Sequence, residues 1–287
     1  MFHSPATQEF ICDSVPPFSE MIISWNGPRP QTGQGGIYVR VLIDEWTLWI
    51  EYMTWGADEQ SSHKTQAGPV RVYQDLLEVL NGQEARGFQV KADQPLRFHV
   101  FTNGDNKDSP DPLPTEPVYV PVAGLSQMAL QHPRHRDLCS PTSTSAVVRF
   151  LTQKAIDPVQ FAEKVRDHGF DIYGNWVFNL AESSQYLGPS WNTWVERLQG
   201  FAEIHRRLLL GTPVIVSVRG PLPGSAQPYA HGHLLVVSGF DPKTGEVHCM
   251  DPAFPSDEQT HVRYRLDDFV TAWERRGRVA YIFEKMD

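Results

Sequence analysis

The chain has 287 residues, of which 40% are apolar, and a formal net charge of −9. This length is enough for one large domain or two ordinary ones, each with its own buried core. The acidic excess offers no cationic surface to a phosphate backbone or an anionic membrane, which argues against nucleic acid and membranes as partners. No apolar run approaches the roughly 20 residues that cross a bilayer.

The first ten residues and the cysteines both bear on cellular location. MFHSPATQEF has neither the basic start nor the apolar core of an export signal, so the sequence as given predicts a cytoplasmic protein, with export open if a segment precedes it. The three cysteines, Cys12, Cys139 and Cys249, are odd in number and widely spaced, which argues against a disulfide framework. At least one thiol is therefore expected to be free. No pattern in the sequence indicates a cofactor.

The N-terminal part of the chain is expected to be all-β. Residues 35–56, 68–80 and 87–103 are rich in β-branched and aromatic side chains and are interrupted by Gly, Asn and Asp. We predict an antiparallel β-sandwich or a similar module over residues 1–117. It holds four of the chain's eight tryptophans, Trp25, Trp46, Trp49 and Trp55. These are expected to fill a small β core, with a glycan- or peptide-binding face as the alternative.

A proline-rich segment separates this module from a second region. Residues 102–121 contain five prolines and four acidic residues, and proline removes backbone donors and favours extended neighbours, so we predict a linker there. After it, helices precede strands, which indicates an α+β domain over residues 118–287. The expected helices run from a cap at Asp157 to Gly169 and over 201–211. The expected strands are 212–220, 232–240, 245–251 and 278–284.

Cys139 stands where a helix is predicted to begin, in the stretch DLCSPTSTSAVVRFL. The free amides and the positive dipole end of a helix N-terminus favour a thiolate, the reactive form of cysteine. Proline is tolerated in a first turn, and the hydroxyls of Thr142, Ser143 and Ser145 could satisfy nearby amides. The alternative is that Cys139 is a small buried apolar residue. A nucleophile also needs a base and a group that orients the base.

A predicted β-hairpin supplies both groups. His233 opens one strand, DPKTG forms the turn, and the returning strand ends at Asp251. With the turn centred near Pro242, His233 and Asp251 would lie opposite each other to within about a residue, so that a carboxylate could orient the imidazole. His231 competes as the base. A zinc site built from His132, His135, Cys139, His231 and His233 is a weaker alternative, because the paired C-x-x-C spacing is missing.

The order Cys139, His233, Asp251 resembles that of the papain-like cysteine peptidases. LSQ, CSPTSTSAVVRFL, YGNW, GTPVIVSV, GHLLVVSGFD and DPAF, over about residues 118–286, are similar to the branch related to bacteriocin-processing peptidases, which cut after double-glycine leaders. The N-terminal flank, with SWNG, is also similar to a companion region of some bacterial members. The resemblance implies a papain-like domain, with Cys139 as nucleophile, His233 as base and then acid, and Asp251 as the orienting carboxylate.

The resemblance also implies an oxyanion hole, formed by the backbone amide of Cys139 and an upstream glutamine. Gln127 is the first choice and Gln131 the second. Ser140 departs from the glycine of many relatives and is expected to add bulk beside the nucleophile. In YGNWVFN, expected to be a polar-aromatic loop, Asn175 and Trp176 are candidate substrate-binding residues, with a structural tryptophan as the alternative.

Taken together, the sequence predicts a cysteine hydrolase that cleaves a peptide or another amide bond through a Cys139 acyl-enzyme. An acyl or peptidyl transferase would use the same residues and differ only in the acceptor. A non-catalytic binding protein on a peptidase-like fold is the rival from a different class. The intact set of Cys139, His233 and Asp251 argues against that rival.

Overall fold

The structure is a computed structural model that describes residues 1–105 and 112–286 of the chain. Of the predicted linker, residues 106–111 lie outside the described residues. Among those described, contacts group the chain into two compact units: unit 1 comprises residues 1–105, 164–185 and 193–195, and unit 2 comprises 112–163, 186–192 and 196–286. No helix within the described residues is long and apolar enough to span a membrane.

Unit 1 is built on a sheet of nine strands, which agrees with the predicted β character of this region. The strands are β1 Phe2–Cys12, β2 Glu20–Asn26, β3 Gln34–Leu42, β4 Ile50–Gly56, β5 Gln60–Ser62, β6 Lys64–Ala67, β7 Val70–Tyr73, β8 Leu76–Val79 and β9 Gly87–Thr102. Their order is β5-β4-β3-β9-β2-β8-β7-β6, with β1 also paired to β9, and the pairs are antiparallel. The sandwich arrangement stays a prediction.

The long strand β9 joins the two halves of this sheet. Its first part pairs with β3, from Leu42 opposite Gly87 to Ile37 opposite Ala92. Its last part pairs with β2, which ends with Asn26 opposite Arg97. One strand therefore carries the hydrogen bonds that hold both halves of the sheet together.

The tryptophans of unit 1 divide into two pairs. Trp25 and Trp55 are buried and meet edge to face at 5.7 Å, as expected for residues of a β core. Trp46 and Trp49 are half-buried, and the guanidinium of Arg40 lies 5.1 Å and 4.8 Å from their rings. The expectation of a tryptophan-filled core thus holds for Trp25 and Trp55.

Five α-helices occur in the described residues: α1 Cys139–Thr152, α2 Pro158–Val165, α3 Trp176–Leu187, α4 Phe201–Leu209 and α5 Leu266–Glu274. The cap predicted for α2 is confirmed, because the carboxylate of Asp157 accepts the amide of Val159 at 2.8 Å. The predicted end at Gly169 is wrong. The helix stops at Val165, and the buried carboxylate of Asp167 instead accepts the amides of Ser62 and Gly169.

The second sheet, which lies mainly in unit 2, carries most of the C-terminal strands. Its members are β10 Val118–Tyr119, β11 Trp191–Arg197, β12 Val214–Val218, β13 His233–Asp241, β14 Glu246–Met250, β15 His261–Arg265 and β16 Val279–Lys285. Their order is β11-β16-β12-β13-β14-β15, with β10 also paired to β13. The predicted strands are confirmed as β12, β13, β14 and β16. Helices and an antiparallel sheet in the same unit confirm the α+β class.

Candidate active site

Helix α1 places Cys139 at its first residue. The helix begins without a side-chain cap, and the nine residues from Ser140 to Val148 are all buried, which fixes the first turn rigidly on the core. Cys139 itself is half-buried. Its thiol is therefore held at a helix start, where exposed amides favour an anion.

The first-turn hydroxyls do not cap the helix, contrary to the expectation from the sequence. Ser143 Oγ donates to the carbonyl of Leu234 at 3.0 Å, which ties α1 to β13. Thr142 Oγ1 and Ser145 Oγ are buried and have no hydrogen-bond partner among the described residues. The backbone amides of Ser140 in the first turn and of Leu234 in β13 form hydrogen bonds with the Cys139 thiol that lower its pKa.

Ser140 does not crowd the nucleophile, although the sequence predicted that it would. Its side chain is fully buried, and its hydroxyl lies 2.8 Å from that of Tyr281 on β16. The extra bulk relative to glycine therefore points into the core.

The hairpin formed by β13 and β14 brings His233 to Asp251. His233 Nε2 lies 2.8 Å from Asp251 Oδ1, and both residues are buried. The predicted register is off by about two residues. Asp241 pairs with Glu246 and Val236 with Met250, so the register continued by one residue would set Asp251 opposite Leu235. The side chains meet diagonally, because the turn is centred further along the chain than Pro242.

Asp251 is satisfied at both of its oxygen atoms. Oδ1 accepts His233 Nε2 and the amide of Ala253 at 3.0 Å. Oδ2 accepts the hydroxyls of Tyr229 and Tyr264, each at 2.7 Å. Burial alone would raise the pKa of this carboxyl, but the charge of His233 and these hydrogen bonds lower it. Asp251 is thus kept ionised in a buried position.

Cys139 and His233 stabilise each other's charged forms. Burial would raise the pKa of the Cys139 thiol, but a hydrogen bond with His233, its positive charge and two backbone amides lower it overall. Burial would lower the pKa of His233, but the charge of Asp251 and hydrogen bonds to Asp251 and Cys139 raise it to about 10. Because Nε2 is bound to Asp251, Nδ1 is the ring nitrogen that serves Cys139. The opposite directions of these two pKa shifts favour a thiolate–imidazolium pair.

Two tyrosines of this site were not singled out from the sequence. Tyr229 lies in the loop before β13, where the signal was an aromatic residue four positions before His233. Tyr264 lies in β15 and reads as an ordinary strand residue. Both donate to Asp251, although they come from segments far apart in sequence.

The candidate oxyanion residues differ in environment. Gln127 is buried in a short 3-10 helix, and its Nε2 donates to the carbonyls of His135 at 3.1 Å and Arg136 at 2.8 Å. Its Oε1 is buried without a partner among the described residues. Gln131 is exposed. Gln127 therefore holds the segment that leads into Cys139, and donation to an oxyanion requires its amide to turn.

The other histidines proposed as zinc ligands have different environments. His231 is exposed, in contrast to the buried His233. His132 Nε2 lies 2.9 Å from Glu163, and His135 Nδ1 lies 3.1 Å from the carbonyl of His132. Within residues 1–105 and 112–286, no group of three or more His, Cys, Asp or Glu is arranged to hold a metal ion.

Asn175 and Trp176 lie in unit 1. YGNWVFN is not a loop throughout, because α3 begins at Trp176 and Asn175 Oδ1 accepts the amide of Phe178 at 3.2 Å. Asn175 is fully buried and also donates to Asp167 at 3.0 Å. Trp176 is half-buried. The contacts of Asn175 are those of a helix cap, and a substrate-binding role for the two residues stays a prediction.

The other two cysteines lie in environments that disfavour a thiolate. Burial, and then the neighbouring Asp13, raise the pKa of Cys12. Burial, and then Asp251, raise the pKa of Cys249 well above its usual value. Of the three thiols, Cys139 alone has a lowered pKa.

The family of the chain follows from its sequence. The profile of the Peptidase_C39 like family matches residues 119–281, which is more than half of the chain and contains Cys139, His233 and Asp251. The chain belongs to this family. The Peptidase_C39 like assignment agrees with the resemblance to bacteriocin-processing cysteine peptidases.

Comparison with other proteins adds little to the Peptidase_C39 like assignment. A crystal structure named as that of a candidate C39-like peptidase from Bacillus anthracis is 17% identical and aligns with a TM-score of 0.47. The alignment covers 60% of this chain and 100% of the other. A TM-score below 0.5 is too low to assign a fold, so the family profile carries the assignment. The search of curated proteins finds no significant match.

Proposed function

We propose that this protein is a papain-like cysteine hydrolase that cleaves a peptide or another amide bond through an acyl-enzyme on Cys139. The observation that carries the proposal is the chain of hydrogen bonds from the Cys139 thiol through His233 to the buried carboxylate of Asp251. Membership of the Peptidase_C39 like family supports a peptide as the substrate.

In the proposed first step, the thiolate of Cys139 attacks the carbonyl carbon of the scissile amide. A C–S bond forms, and the carbonyl π electrons move to oxygen, which gives a tetrahedral oxyanion. The imidazolium of His233 then gives its Nδ1 proton to the leaving nitrogen as the C–N bond breaks. Asp251 keeps the ring in the orientation that makes this transfer possible, because it holds Nε2 at 2.8 Å.

In the proposed second step, water releases the acyl group. Neutral His233 takes a proton from water, the resulting nucleophile attacks the thioester, and the C–S bond breaks to restore the thiolate. The backbone amide of Cys139 and, after its side chain turns, Gln127 are the proposed donors to both oxyanions. A transferase would replace water by an amine or a thiol at this step.

The test is the pH dependence of Cys139 alkylation by iodoacetamide, with the labelled peptide identified by mass spectrometry. In the wild type, we expect rapid labelling that begins well below the free-thiol pKa of about 8.5. We expect His233→Ala to move the labelling midpoint upward. His231→Ala is the matched control, because it removes a histidine two positions away that is exposed, and its profile should match the wild type.

Two further results would decide between the proposal and its rivals. An ordinary thiol profile in the wild type, unchanged in His233→Ala, would contradict a catalytic pair and favour a binding protein. If the profile is shifted as expected, incubation of the protein with peptide pools, with and without added amines, distinguishes the products. Free carboxylates indicate a hydrolase, and amide adducts indicate a transferase.

A further inference from the structure

The ring of Tyr229 lies flat against the imidazole of His233. The two ring centroids are 4.0 Å apart and the planes are inclined by 16°. Tyr229 is 3% exposed, so water does not separate the two rings. A cation over the face of an aromatic ring is stabilised electrostatically, and this stabilisation grows as water is excluded. The stack therefore favours the imidazolium form of His233 and keeps its ring nearly parallel to that of Tyr229.

The hydroxyl of the same residue acts on the group behind His233. It donates to Asp251 Oδ2 at 2.7 Å, while His233 is bound at Oδ1. One rigid side chain thus contacts both the imidazole and its carboxylate. Rotation of the imidazole away from Cys139 would lose the ring stack, and displacement of the carboxylate would break the hydrogen bond.

The backbone of Tyr229 is itself anchored. Its carbonyl accepts the amides of Gly220 at 3.0 Å and Gly232 at 3.1 Å, on both sides of the loop that leads to β13. The backbone at Gly220 passes so close to Tyr229 that a Cβ added to Gly220 would lie 2.8 Å from the Tyr229 backbone nitrogen. The loop thus fixes where the ring lies before any substrate arrives.

We infer that Tyr229 is the positioning residue of this site, because its ring holds the face of His233 while its hydroxyl holds Asp251. The inference rests on the proposed function. Tyr229 takes no part in bond making, and it acts on Cys139 only through His233. Tyr264 shares the hydrogen bond to Asp251 Oδ2 at 2.7 Å and provides the matched comparison, since its ring is not the one stacked on His233.

The experiment measures the pH midpoint of Cys139 alkylation in Tyr229→Leu, Tyr229→Phe and Tyr264→Phe. Tyr229→Leu removes both the ring stack and the hydrogen bond. We expect its labelling midpoint to rise by about one pH unit, which is a tenfold change in the acid dissociation constant of the Cys139 thiol. Tyr229→Phe keeps the ring and loses the hydroxyl. Its smaller rise should equal that of Tyr264→Phe, which loses a hydrogen bond to the same oxygen.

A second pair of variants keeps the inference testable if Tyr229→Leu fails to fold. Pentafluorophenylalanine at position 229 has the shape of phenylalanine, but fluorination removes the negative charge from the ring face. We expect its labelling midpoint to lie above that of Tyr229→Phe. Near-ultraviolet circular dichroism establishes that both proteins are folded.

The possible outcomes distinguish a failure of the inference about Tyr229 from a failure of the proposed function. If the wild type labels like an ordinary thiol, the proposed function fails and the inference falls with it. If the wild type shows the acid-shifted profile, the inference alone is overturned in either of two cases. In the first, folded Tyr229→Leu shifts no more than Tyr264→Phe. In the second, ring fluorination leaves the midpoint of Tyr229→Phe unchanged.

Discussion

His233 Nε2 binds Asp251 Oδ1 at 2.8 Å, so that only Nδ1 of the imidazole remains for Cys139. Through His233, the Asp251 carboxylate therefore influences the ionisation of the Cys139 thiol without contacting it. Removing a nearby opposite charge shifts a pKa by about 1–3 units. We therefore expect Asp251→Asn to lower the pKa of His233 by about that amount and, because the imidazolium is then less stable, to raise the pH midpoint of Cys139 alkylation.

Asp241→Asn is the matched control for this variant. Asp241 lies at the other end of the same hairpin, where its Oδ1 accepts the amide of Lys243 at 2.9 Å. Its loss should leave the labelling midpoint where the wild type has it. Equal profiles for Asp251→Asn and the wild type would show that the carboxylate does not support the pair.

Substitution of Gln127 and of Gln131 is expected to affect kcat differently. If Gln127 supplies an oxyanion donor, Gln127→Ala should lower kcat about 10²–10³-fold on any peptide that the wild type cleaves, while Gln131→Ala should not. The alkylation midpoint of Cys139 should change little in either variant, because neither side chain contacts His233 in the described hydrogen bonds. A loss confined to Gln131→Ala would reverse the assignment.

His99 makes unit 1 sensitive to acid. Burial, and then His3 and Arg97, lower the pKa of His99 to about 3, whereas an unfolded chain has a histidine pKa of about 6.5. Between these two values the unfolded chain binds more protons, so stability falls as pH decreases through that window. The full effect is on the order of 5 kcal/mol. Urea unfolding at pH 7 and pH 4 should show the loss.

The comparison variant for this effect is His99→Gln. It removes the titrating group, so the difference in unfolding free energy between pH 7 and pH 4 should shrink relative to the wild type. An equal difference in both proteins would assign the acid sensitivity to other groups.

Arg29 holds a buried carboxylate in unit 1. Its Nη2 lies 2.9 Å from Oε2 of Glu182, a side chain that is 2% exposed. Breaking a buried ion pair by removing one partner costs about 3–5 kcal/mol, because the other charge stays buried. Because Lys164 Nζ also lies 3.6 Å from Oε1 of Glu182, Arg29→Ala should lower the free energy of unfolding by the lower end of that range, about 3 kcal/mol. Arg71→Ala, whose pair with Glu78 is 2.7 Å long but more exposed, should cost less than about 1 kcal/mol.

Local patterns in the sequence predicted the elements that carry Cys139 and His233. A helix start was recognisable from the proline in its first turn and the apolar residues at helical spacing behind it, and the hairpin from its turn residues. The register was less predictable. A turn centred slightly further along the chain moves Asp251 away from the position opposite His233, and only the diagonal reach of the side chains restores the contact.

The residues that surround Asp251 could not be predicted in this way. Tyr229 lies in an irregular loop and Tyr264 in a strand, and each would be typical of a core position. Their meeting at one carboxylate oxygen depends on tertiary packing, which local periodicity does not encode. The start of α3 was missed although its signal is local, because Asn is a common helix cap and Asn175 Oδ1 accepts the amide of Phe178.

The contrast among the three cysteines has a practical consequence for work with this protein. Cys12 and Cys249 lie where burial and a neighbouring carboxylate keep the sulfur protonated, whereas Cys139 is paired with His233. A haloacetamide dye added at mildly acidic pH should therefore mark a single atom of the unaltered chain. The native sequence would then carry its own fluorescent reporter at the candidate nucleophile, with no cysteine-free background to engineer.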